Sequence, residues 1–167
     1  MVPGHYTELF FLDEATALAA GHRPCAECQR DRFNLFRQTW ERANPRLSGT
    51  RPPAATTLDE ALHRERTATS GRARRPCDVL DTLPDGTFVT ADGETAYLVL
   101  GNRLLQWTPY GYEHLPARVL RDPVRMLTPS SVVRTLAAGY PVGIHPSAFR
   151  GTWRNKNAHA RDFARHS

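Results

Sequence analysis

The sequence predicts an α+β protein in which a helical N-terminal half packs on a small antiparallel sheet of three to four strands, followed by one C-terminal helix. Apolar residues recur at helical spacing in the first half, and the pattern changes to alternation after residue 86. A C-x-x-C motif, Cys25 and Cys28, lies between two of the predicted helices. We divide the chain into residues 1–75, residues 76–148 with the sheet and C-terminal helix, and a basic, mobile tail at 149–167.

The composition is that of a globular protein. Of the 167 residues, 40% are hydrophobic and 23% are charged, which is enough apolar material for a packed core. No apolar run approaches the roughly 18 residues of a membrane span. Three cysteines without an export signal argue against a disulfide framework. We therefore expect a cytoplasmic protein with no membrane partner.

The first element is a short alanine-rich helix. Asp13 has the side chain of a helix N-cap, and Gly21 stands where a left-handed C′ residue ends a helix. Residues 6–12 before it are predicted to form a short strand. We expect a strand that leads directly into this helix.

Two further helices follow the C-x-x-C motif. Residues 29–43 carry Phe33, Phe36 and Trp40 at spacings of three and four, and Asn44-Pro45 ends the segment. The next helix is predicted to begin at Thr57, because Glu60 three residues later completes a capping box.

The second half predicts a three-stranded meander. Asp92-Gly93 separates two alternating segments within residues 87–100, a strong hairpin signal, and residues 103–108 give a third strand. A fourth strand is predicted around residues 124–127. Thr128-Pro129 then resembles the N-cap and N1 pair of the C-terminal helix, and residues 141–148 form either a last strand or a docked loop.

Cys25 and Cys28 have the spacing with which two thiolates share one zinc ion in a tight turn. Two alternatives are open, namely a redox pair and two buried small residues without a ligand. A redox pair is typical of a thioredoxin-like βαβ unit, whereas here the motif follows a helix.

Residues 15–32 resemble the second half of the zinc-binding N-terminal module of the Ada alkylation-response proteins. The specific part of the resemblance is Arg23-Pro24-Cys25, followed after two residues by Cys28. It implies a zinc knuckle on half a module, with affinity for the DNA backbone. The family's other cysteine pair, which includes its methyl acceptor, lies upstream, and no cysteine precedes Cys25. The residues present therefore do not support methyl-phosphotriester DNA repair.

Further ligands are needed, because two thiolates do not complete a zinc site. His63 is the leading candidate for a third ligand, since neutral imidazole suits zinc. Candidates for the fourth position are Cys77, His22 and His5.

The charge suggests a nucleic-acid partner. Lys and Arg total 22 against 17 acidic residues, and Lys156 is the one lysine, so the net charge of +5 is carried by arginine. Arginine presents a planar fork that suits phosphate. We expect Arg23, Arg30 and Arg37 to face phosphate near the knuckle.

An enzyme is the main alternative. Zinc deaminases combine H-x-E with P-C-x-x-C, and this chain has His63-Arg64-Glu65 in addition to its cysteine pair. In a small zinc hydrolase or deaminase, Glu65 would be the general acid/base. On a helix, however, residues two positions apart point about 200° away from each other, so His63 and Glu65 would not address one metal. A third alternative is a metal-free interaction module built on the aromatic sheet.

Overall fold

The computed structural model describes residues 10–49, 51–68, 74–75, 77–114 and 123–150. Its helices are α1 (Glu14–Ala19), α2 (Arg30–Ala43), α3 (Ala55–Thr67) and α4 (Ser130–Ala137). Short 3-10 helices span Cys77–Thr82 and Pro146–Phe149. None of the helices in these ranges has the length and apolar character needed to cross a membrane.

The strands are β1 (Arg74–Arg75), β2 (Phe88–Thr90), β3 (Tyr97–Leu100), β4 (Arg103–Thr108), β5 (Gly111–His114) and β6 (Val124–Met126). They form one sheet in the order β1-β6-β2-β3-β4-β5, and every neighbouring pair is antiparallel. The α+β class is therefore confirmed. The sheet exceeds the predicted three to four strands, because β5 and the two-residue β1 were not predicted.

The core of the helical layer joins the two halves of the chain. α2 contributes Phe33, Phe36 and the fully buried Trp40, which pack with side chains of α3 and with Val132 and Leu136 of α4. The C-terminal helix thus packs against the N-terminal helices. A second cluster joins α1 to the sheet through Ala15, Phe88, Leu98, Leu105 and Tyr112.

Helix α1 is held at its N-terminus by a carboxylate with several donors. Asp13 caps the helix as predicted, since its Oδ1 accepts from the backbone N–H of Thr16 at 2.8 Å. Its Oδ2 accepts from the Tyr112 hydroxyl at 2.7 Å and from the backbone N–H of His145 at 2.9 Å. One side chain therefore joins α1, β5 and the loop before the last 3-10 helix.

Glu14, the next residue, makes a parallel set of contacts. It accepts from the Tyr140 hydroxyl and from the backbone N–H of Gly143, and it pairs with the guanidinium of Arg32. That guanidinium also lies over the Tyr140 ring. The segment after α4 is thus a docked loop, the second of the two predicted alternatives.

Two predicted helix starts were wrong. Helix α3 begins at Ala55 instead of Thr57, and no side chain caps it, so the capping box with Glu60 does not form. Alanine is the strongest helix former, which lets the helix extend back to Ala55. Helix α4 begins at Ser130 with Pro129 as its N-cap, while the Thr128 hydroxyl accepts from the backbone N–H of Phe88 in the sheet.

Two predicted features near the ends of the chain lie partly outside the described residues. Residues 10–12 are not a strand, and the remainder of the predicted strand at 6–9 lies outside the described residues. Residues 151–167 of the predicted tail at 149–167 also lie outside them. Gly21, two residues after the end of α1, has φ +82°, as predicted for a left-handed C′ residue.

Candidate metal centre

The cysteine pair lies in the turn at residues 25–29, called here the cysteine turn, immediately before α2. The backbone N–H of Gln29 donates to the Cys25 carbonyl at 3.1 Å and closes the turn. The backbone N–H of Cys28 donates to the Cys25 Sγ at 3.4 Å. Cys25 is half-buried and Cys28 is exposed, and neither forms a disulfide. The prediction that the two thiols share one turn is therefore confirmed.

The turn makes the two thiols unequal. The hydrogen bond from the Cys28 backbone N–H, together with that from the Cys28 thiol, lowers the pKa of Cys25 below its ordinary value. The hydrogen bond to Cys25 and the negative charge there raise the pKa of Cys28. Of the two thiols, Cys25 is therefore the first to lose its proton, and a bound cation would favour loss of the second proton from Cys28.

This inequality predicts selective alkylation of the metal-free protein. Brief treatment with iodoacetamide near pH 7 is expected to label Cys25 several-fold faster than Cys28, because the thiolate is the reactive form. Peptide mass mapping measures the two rates. In Cys28→Ala the rate at Cys25 is expected to fall, since the hydrogen bond from the Cys28 thiol to the Cys25 sulfur is lost. Equal rates at the two cysteines would contradict the arrangement.

Two cavities flank the cysteine turn, and both include His22 and Cys25 in their walls. The larger, of about 710 Å³, extends to Phe10, Phe11 and the first turn of α1. The smaller, of about 430 Å³, lies between the turn and Asp59 of α3. His22 is half-buried with its ring centroid 5.1 Å from that of Phe11, and burial lowers its pKa. Its imidazole is neutral near pH 7, the form that binds metals.

His63, the leading candidate for the third ligand, does not form a metal-binding group with the two thiols. His63 is exposed on α3, where its Nδ1 lies 3.4 Å from Nη2 of Arg66. Within the part of the chain that the structure describes, no three His, Cys, Asp or Glu side chains form a group able to hold a metal. The side chain of Cys77 and all of His5 lie outside the described residues.

Arg23 is engaged inside the protein instead of facing a phosphate. Its Nη2 donates to Asp59 at 2.8 Å, its guanidinium lies 4.9 Å from the centroid of the Phe33 ring, and its side chain is 15% exposed. These contacts attach the cysteine turn to α2 and α3. Asp59, 36 residues away in sequence, was not predicted as a partner because local patterns do not report such contacts.

The other two arginines differ from each other. Arg30 is exposed at the start of α2, as a phosphate contact requires. Arg37 is half-buried, donates to the side chain of Asn34 at 3.2 Å and lies over the Phe33 ring. Of the three arginines predicted to face phosphate, Arg30 is the one whose side chain is exposed.

Glu65 has a structural role. Its Oε2 accepts from the backbone N–H of Ser131 at 3.0 Å and from the Ser131 hydroxyl at 2.7 Å, while Oε1 lies 3.8 Å from Arg134. It therefore caps α4 from the side of α3. His63 is exposed on the other side of the same helix, as the helical spacing predicted. His63 and Glu65 therefore cannot act on the same metal ion.

Comparison with known proteins identifies no relative of this chain. No family model, no curated protein and no solved structure matches the chain.

Proposed function

We propose that the chain binds zinc through Cys25 and Cys28. The observation that supports this most directly is the turn itself, in which a backbone N–H points at the Cys25 sulfur and both thiols remain accessible. Zinc favours thiolate ligands with this spacing, and its charge favours removal of the second proton from the pair. The resemblance of residues 15–32 to the Ada zinc module points to the same metal.

The role proposed for the metal is structural. α1 ends at Ala19, six residues before Cys25, and α2 begins two residues after Cys28. A metal held by both thiols would fix the direction in which the chain passes from one helix to the next. The alternative, a hydrolase or deaminase that uses Glu65 as general acid/base, has no support in the site, because that carboxylate caps α4.

Cobalt substitution tests the ligand chemistry. Titration of the metal-free protein with Co²⁺ is expected to produce thiolate-to-metal charge-transfer absorption in the near ultraviolet. The absorption is expected to be lost in Cys25→Ser/Cys28→Ser and retained in Cys77→Ser. Absorption that survives in the double variant, or that never develops in the folded wild-type protein, would contradict the proposal.

We propose association with a nucleic-acid backbone as a second candidate function. The observation that favours it is a group of exposed arginines at and beyond the C-terminal end of α2, namely Arg42, Arg46 and Arg51, in a chain with a net charge of +5. Only Arg51 among them approaches a carboxylate in a described ion pair, 3.8 Å from Glu41. Exposed guanidinium groups can neutralise phosphates and release counterions.

The salt dependence of duplex binding tests this candidate. Fluorescence anisotropy with a labelled DNA duplex is expected to detect binding at ~50 mM salt and at least a ten-fold loss of affinity by ~200 mM. Arg46→Glu is expected to weaken binding more than Arg103→Glu, an equal charge change at an exposed position on the sheet. Absence of binding at the lower salt concentration would refute the association.

A further inference from the structure

We propose that two copies of this chain share one zinc ion, with each copy supplying Cys25 and Cys28. The inference rests on the proposed zinc function and names the partner at that same site. Four thiolates complete a tetrahedral zinc site, and one cysteine turn provides half of them.

Within the described ranges, the residues around the turn supply two thiols and no third metal ligand. His22 packs its ring against Phe11, and His63 is exposed beside Arg66. With no third ligand from the described residues, a zinc ion held by Cys25 and Cys28 would have two coordination positions available to the thiolates of a second copy.

The turn is accessible to a second molecule. Five consecutive residues, 27–31, are exposed, so the Cys28 side chain lies in a continuous open surface. A two-fold axis through the metal brings the same two cysteines of another copy to the opposite side. A two-fold axis is also a symmetry element of a tetrahedron, so two equivalent pairs of thiolates are compatible with tetrahedral zinc.

The charges of the exposed segment are self-complementary. Glu27 and Asp31 are acidic, and Arg30 between them is basic. In a two-fold dimer, this segment of one chain runs antiparallel to the same segment of the other. Arg30 of one chain can therefore lie opposite an acidic residue of the other. Surface pairs of this kind contribute little on their own. The dimer is therefore expected to depend on the metal.

The test measures metal stoichiometry and mass together on the full-length protein. Native mass spectrometry is expected to find two chains with one zinc ion, and sedimentation velocity is expected to find a dimer that EDTA converts to monomer. Cys25→Ser/Cys28→Ser is expected to be a zinc-free monomer. Cys77→Ser, which removes the remaining cysteine, is expected to behave as the wild type.

The outcomes separate the two proposals. One zinc ion per monomer would overturn the shared site and leave the zinc function standing, and loss of that ion in His22→Ala or His5→Ala would then identify an internal ligand. A dimer that persists unchanged in EDTA would also overturn the shared site. A monomer that takes up no zinc would overturn both proposals.

Discussion

Asp13→Ala is expected to lower the free energy of unfolding by about 3 kcal/mol. The substitution removes an N-cap, which contributes about 1 kcal/mol. It also leaves the Tyr112 hydroxyl and the His145 backbone N–H without their acceptor, at about 1 kcal/mol or more each. For a chain of this size the melting temperature is expected to fall by roughly 6–12 °C, which differential scanning calorimetry measures.

Two matched variants define what the Asp13 result means. Asp13→Asn keeps an oxygen that can cap α1 and is expected to lose less stability than the alanine variant. Glu94→Ala removes an exposed carboxylate from the β2–β3 loop and is expected to change stability by less than about 0.5 kcal/mol. If Asp13→Ala were as stable as Glu94→Ala, the contacts of α1 with β5 and the docked loop would not hold in solution.

Glu65→Ala is expected to cost about 2 kcal/mol. The carboxylate accepts two hydrogen bonds from Ser131 at the first turn of α4, and charged acceptors contribute about 1.5–3 kcal/mol. Helix α4 packs against α2, so loss of the cap weakens the joint between the two halves of the chain. Urea unfolding monitored by circular dichroism measures the change.

Two further variants, Glu65→Gln and Glu60→Ala, distinguish a capping role of Glu65 from a catalytic one. Glu65→Gln retains one acceptor oxygen for Ser131 and is expected to recover about half of the lost stability. Glu60→Ala removes an exposed carboxylate from the same helix and is expected to cost no more than about 0.5 kcal/mol. Equal stability of the Glu65→Ala and Glu60→Ala proteins would argue against the cap and reopen a catalytic role for Glu65.

Local sequence patterns predicted the elements that depend on neighbouring residues. The Asp13 cap, the left-handed Gly21 and the bounds of β4 are each set within a few residues, so they were predictable. Strand β5 was not, because it forms by pairing with β4 across the short turn after Thr108. The pattern that follows this turn, with Gly111 and two tyrosines nearby, does not alternate clearly.

In the candidate site, too, the sequence predicted the local turn but not the contacts with distant residues. The spacing of Cys25 and Cys28 predicted a shared turn, since only four residues are involved. It did not predict that Arg23 pairs with Asp59, or that Glu65 caps a helix 66 residues further along. Such partners are determined by how helices pack, and single-sequence periodicity carries no information on which faces meet.

The central claim, that the cysteine turn holds zinc, is tested most directly by the zinc content of the purified protein. Elemental mass spectrometry is expected to find bound zinc in the wild type and in Cys77→Ser, and none in Cys25→Ser/Cys28→Ser. A folded wild-type protein that contains no zinc after growth in zinc-replete medium, or a double variant that retains the wild-type amount, would contradict the claim.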